Sequence, residues 1–151
     1  MILVSACLCN INCKYSGGNN KNEKVLELFK QGRVIPVCPE QLGGLETPRD
    51  CCEIHGGEGK DVLNNKAKVL TNKGADVSEK FKKGAYETLK IAKELEKSDV
   101  EYFILQSRSP SCGLGEIYDG NFNGEFKKGN GVAAQLLIDN GYKVIDVKDL
   151  K

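Results

Sequence analysis

The chain has 151 residues, of which 22 are basic and 21 acidic, giving a net charge of +1, with 40% hydrophobic and 28% charged residues. Such a chain is long enough to bury a core of its own, so one domain over residues 1–151 is expected. The balanced charge argues against a DNA-coating or membrane-surface role, and no apolar stretch is long enough to span a bilayer.

"ILVSA" (2–6) is a β-rich run that reads as a first strand rather than a signal peptide, because a basic leader is missing and the polar "NINCKYSGG" follows soon after. Residues 22–31 carry Val25, Leu26, Leu28 and Phe29 at helical spacing and close on Gly32. "RVIPV" (33–37) is the next apolar run, and Pro36 places it at a sheet edge or strand end. Residues 41–75 read as irregular, with "KAKVL" a small extra strand within them.

Asp76 and Glu79 have the spacing of a capping box, and Val77, Phe81, Ala85, Leu89, Ala92 and Leu95 then mark one face of a long helix. "VEYFIL" (100–105) is a third clear strand. "GVAAQLLIDNG" (131–141) reads as a helix stopped at Asn140-Gly141, and "YKVIDV" (142–147) as a last strand. The alternation implies an α/β fold, a Rossmann-like open and mostly parallel sheet flanked by helices.

Seven cysteines stand out. Without an export signal, and with an odd count, they point to metal binding or thiol chemistry in a reducing compartment, and the chain reads as cytoplasmic. Burial as small hydrophobes accounts for some of them. Cys7 follows the first strand, Cys38 the second, and Cys112 lies a few residues past the third in "SRSPSCG". A parallel sheet opens the carboxyl ends of its strands on one edge, where ligands bind, so these three are expected to converge.

Three thiolates at one edge suit a soft metal. A structural zinc site or an iron–sulfur cubane ordinarily takes four ligands, and a cubane held by three leaves one iron free. Cys9, Cys13, Cys51 or Cys52 could supply a fourth ligand, with Cys13 of "CLCNINC" the foremost; the vicinal pair Cys51-Cys52 reads as local packing.

"ILVSACL", "VCPEQLGGLETPR" followed by "EI", "SRSPSCG", "IYDGNFNG" and "GNGVAAQLL" occur in that order over essentially the whole chain. Together they resemble the family catalogued as domain of unknown function 523, whose characterised members are thiouracil desulfidases. The resemblance implies an oxygen-sensitive [4Fe-4S] cluster held by Cys7, Cys38 and Cys112. It also implies non-redox, hydrolytic removal of sulfur from a thiolated pyrimidine, thiouracil and water giving uracil and sulfide. Cys9, Cys13, Cys51 and Cys52 depart from the family pattern.

On this resemblance the open iron takes the soft thiocarbonyl sulfur, and water adds at the polarised carbon. Water attack needs a base, and the departing sulfur and ring nitrogens need protons. Glu40, two residues after Cys38, is the expected general acid–base group, with Glu53 of "CCEI" the runner-up. Ser109 and Ser111, beside Cys112, are expected to hydrogen-bond the substrate or relay protons, and Ser5 to cap or bond a cluster sulfur. Arg49 is expected to pair an acid and His55 to lie at the surface. The glycines of "KKGNGVAA" are a turn opening a helix or an anion site.

The partner expected is a small-molecule substrate, a thiolated nucleobase or nucleotide, with no nucleic acid polymer and no membrane; the oligomeric state is left open. The competing class is a non-catalytic iron–sulfur or metal-binding protein for electron transfer or sensing, which a fully cysteine-ligated cluster would favour.

Overall fold

A computed structural model describes residues 1–151. At its centre is a four-stranded sheet of β1 (Ile2–Ser5), β2 (Val34–Val37), β5 (Tyr102–Leu105) and β8 (Val144–Asp146). Its order is β2-β1-β5-β8 and every pairing is parallel. Pro36 is tolerated because β2 is an edge strand, paired only with β1.

The unbroken apolar runs of β1 and β5 follow from burial on both faces. Leu3, Phe103 and Leu105 face a core shared with α4 (Ser78–Glu94) and α5 (Val132–Asp139). Ile2, Val4 and Ile104 face the opposite core, closed by Val25 and Leu28 of α1 (Glu23–Lys30). Of the apolar positions read along the long helix, Phe81, Ala85, Leu89 and Ala92 belong to the first core, and Val77 and Leu95 pack against it.

That helix starts differently from the expected capping box. Glu79 does not cap; its carboxylate pairs with Lys82 at 2.7 Å. Asp76 instead accepts hydrogen bonds from the backbone N–H of Ser78 at 2.9 Å and from its hydroxyl at 2.6 Å. These bonds hold the Asp76 carboxyl below its ordinary pKa.

The region 41–75 is more ordered than its composition suggests. β3 (Cys52–His55) and β4 (Lys68–Thr71) form an antiparallel pair around α3 (Gly59–Leu63), and β4 contains most of the run read as an extra strand. A second antiparallel pair, β6 (Glu116–Tyr118) and β7 (Phe126–Lys128), follows the cysteine loop after β5.

The short helix α2 (Pro39–Leu42), which begins right after Cys38, lies on α4 through a pair of glycines. A Cβ on Gly84 would overlap the carbonyl oxygen of Pro39, and one on Gly43 that of Lys80. Glycine inside a helix costs about 1 kcal/mol relative to alanine, so Gly84 is there for close approach.

Candidate functional site

The order β2-β1-β5-β8 reverses direction between β1 and β5, which opens a crevice at their carboxyl ends. Cys7 reaches it from a 3₁₀ turn over Ala6–Cys9, Cys38 from the N-cap position of α2, and Cys112 from the loop after β5. All three line one cavity of about 490 Å³. Glu40, Ser109, Cys13, Cys51 and Cys52 share its wall, whereas Cys9 is packed into the core beside α1.

The cysteine loop is held from behind by α5. The N–H groups that open this helix and its preceding turn are taken by loop carbonyls: Val132 donates to Pro110 at 2.8 Å, Gly131 to Gly113 at 2.8 Å and Ala134 to Ser111 at 3.0 Å. A Cβ on Gly131 would lie 2.5 Å from the carbonyl carbon of Ser111. The "GNGVAA" glycines are therefore a buttress for the cysteine loop, and their amides are spent on it rather than open to an anion.

Within the loop, the Ser109 hydroxyl accepts from the N–H of Ser111 at 3.2 Å and of Cys112 at 2.7 Å. The Ser109 and Ser111 hydroxyls are 3.1 Å apart. Ser111 donates to Glu40 Oε2 at 3.2 Å, and its oxygen is 3.7 Å from Cys112 Sγ. Ser111 is buried behind the wall while Ser109 lies on it. The chain Glu40–Ser111–Ser109 thus links the carboxylate to the cavity from the rear.

Arg49 faces the other oxygen of Glu40, with Nε 3.5 Å from Oε1. The contact is Coulombic, since the buried Nε–H has no hydrogen-bond partner. The rest of the guanidinium is fixed by the carbonyls of Glu46 and Cys13 and by Thr47 Oγ1, each at 3.0 Å. Arg49 pairs an acid as expected, and that acid is Glu40.

Cys13 is 1% exposed and lines the same cavity as Cys7 and Cys38, and its carbonyl oxygen lies 3.8 Å from Cys38 Sγ. Its hydrogen bond holds the Cys7 thiol below its ordinary pKa against the opposing effect of burial, and lowers Cys38 to about 7. The Cys13 thiol is itself pushed up, first by its bond to Cys38 and then by that to Cys7. Burial pushes Cys112 up to about 12, opposed by hydrogen bonds from Ser5 and Ser111. Asn20 adds a donor to Cys7 Sγ at 3.5 Å.

Glu53, the runner-up acid, is buried, and its Oε1 accepts the backbone N–H groups of Gly120 at 2.9 Å and Phe122 at 3.2 Å. His55 is exposed. Lys14, Tyr15, Asn20 and Phe122 also line the cavity and were not singled out from the sequence. The segment "KYSGGNN" directly after the cysteine cluster was the available signal for the first three.

No three His, Cys, Asp or Glu side chains close around a point where they could chelate a single ion. Thiols spread around one wall suit instead a cluster whose iron atoms are each bound by a separate cysteine.

A family model described as 2-thiouracil desulfurase matches residues 2–149. The uncharacterized protein YbbK of Bacillus subtilis (strain 168) is 48% identical over 150 residues, covering 99% of this chain and 97% of that protein. The solved structure of the [4Fe-4S]-dependent thiouracil desulfidase TudS, a domain of unknown function 523 protein, superposes with a TM-score of 0.83 at 33% identity. That alignment covers 99% of this chain and 91% of the other. Strand ends, cavity and whole-length similarity lead to one assignment: the chain belongs to the 2-thiouracil desulfurase family.

Proposed function

We propose that this protein is a [4Fe-4S]-dependent thiouracil desulfidase, converting a thiolated pyrimidine and water into the oxo-pyrimidine and sulfide, with Cys7, Cys38 and Cys112 holding the cluster. The observation that carries the assignment of residues is the meeting of these three thiols with Glu40 and Ser109 on one cavity wall. The donor set fits such a group: separate soft ligands on one wall, two of them with lowered thiol pKa.

When bound, the cluster supplies a Lewis-acidic iron for the soft thiocarbonyl sulfur. The chain's own residues manage protons and charge. Glu40 takes a proton from the attacking water as the C–O bond forms, and the balancing proton passes to a ring nitrogen or to the sulfur as the C–S bond breaks. Ser111 keeps Glu40 Oε2 oriented, and its contact with Ser109 gives that proton a route to the cavity wall. Arg49 balances the Glu40 charge where water is scarce. No electron is transferred in the overall reaction.

The test is anaerobic incubation of the reconstituted protein with 2- and 4-thiouracil. Stoichiometric uracil and sulfide from either are expected, and their absence from a fully loaded protein would favour a non-catalytic iron–sulfur role instead.

A further inference from the structure

Phe122 has φ +54, in the left-handed region, where a bulky aromatic residue is uncommon and costs conformational energy. Its ring is 37% exposed and lines the cavity with the thiols. Two features fix that conformation. The buried Glu53 carboxyl oxygen accepts both the Gly120 and the Phe122 N–H, so a buried polar side chain is satisfied by this loop. Gly120, at φ +98, approaches the Ile54 carbonyl so closely that a Cβ would lie 2.6 Å from its oxygen.

The reaction itself gives a reason for such a ring. Contact at sulfur fixes one atom of a flat heterocycle, and Glu40 with the serines handles protons; neither sets the plane of the pyrimidine. Among the aromatic side chains on the wall, Tyr118 is already paired with Phe126 at 5.0 Å between centroids, and Tyr15 is 51% exposed. Phe122 is in no aromatic pair, and a buried side chain holds its backbone N–H.

We propose that Phe122 is a specificity-determining residue, the stacking platform for the pyrimidine ring, and that Glu53 acts through it as a positioning residue. This rests on the desulfidase reading above. Stacking is read without the sulfur by measuring uracil binding to the cluster-loaded protein through anaerobic equilibrium dialysis.

Phe122→Leu should weaken uracil binding about tenfold, the size of one lost base-stacking contact. The KM for thiouracil should rise in parallel while kcat stays within about twofold. Phe122→Tyr, which restores a ring, should bind as the parent does, and Glu53→Gln, which keeps an acceptor oxygen, should fall between the two. Parental uracil affinity in Phe122→Leu, or affinity in Phe122→Tyr as weak as in the leucine variant, overturns the proposal. A loaded parent that binds uracil but releases no sulfide from thiouracil would overturn the activity reading and leave the stacking result intact.

Discussion

The Ser111 hydroxyl donates to Glu40 Oε2 at 3.2 Å across 71 positions of sequence, joining the loop after β5 to the first turn of α2. The bond ties the acid–base candidate to the segment that carries Cys112. The Glu40 carboxylate and the loop bearing Ser109 and Cys112 are thereby held in one arrangement.

Glu40→Gln should keep iron and sulfide at parental levels, because the carboxylate is not needed to hold iron, while turnover falls about 10²–10⁴-fold, the usual worth of a general acid–base group. Ser111→Ala should slow turnover less, because it misorients the carboxylate without removing it. Anaerobic sulfide release, with cluster absorbance recorded for each variant, measures both. Parental turnover in Glu40→Gln would move the role to another group.

Single replacement of Cys7, Cys38 or Cys112 by Ala should abolish cluster retention, whereas Cys9→Ala, Cys51→Ala and Cys52→Ala should keep it. Cys13→Ala is the decisive case, because its side chain acts on the thiols of both Cys7 and Cys38. Retained iron with turnover fits three ligands and an open iron. Loss of the cluster in Cys13→Ala with retention in Cys7→Ala would reassign the N-terminal ligand.

Gly84→Ala should destabilise the protein by roughly 1–3 kcal/mol, the usual cost of overpacking, despite alanine's better helix propensity. The new methyl would press on the Pro39 carbonyl, one residue before Glu40, so turnover should fall alongside stability. Thermal melts and sulfide release test the two effects. A stabilised Gly84→Ala would show that α2 does not rest on α4 at this point.

Asp76→Ala should lower Tm at pH 7 by about 2–4 °C, as expected for ~1 kcal/mol of lost hydrogen bonding to Ser78 in a chain of this size. The folded-state pKa of Asp76 is depressed below 3.8, so its contribution is present above that value and is lost as pH falls through the folded pKa. The gap between variant and parent should therefore shrink in melts below pH 4. An equal gap at pH 7 and pH 3 would mean that the carboxylate's charge is not what stabilises this end.

The parallel strands, the helix faces and the convergence of Cys7, Cys38 and Cys112 were legible in the sequence. Each follows from a short-range rule: apolar periodicity identifies the elements, and alternation of strand and helix puts the strand ends on one edge. The five motifs likewise pointed to the family before any geometry was known. The antiparallel β3–β4 pair was only half legible, since polar residues interrupt its apolar signal and its partners are separated by α3. Only the tertiary structure decided which side chains meet. It spent the α5 amides on the cysteine loop, turned Glu53 toward the Phe122 loop, brought Arg49 to Glu40 and set Cys13 between two ligand candidates. Those outcomes depend on contacts between segments tens of residues apart, where periodicity carries no information and close approach, burial and hydrogen-bond satisfaction select the partners.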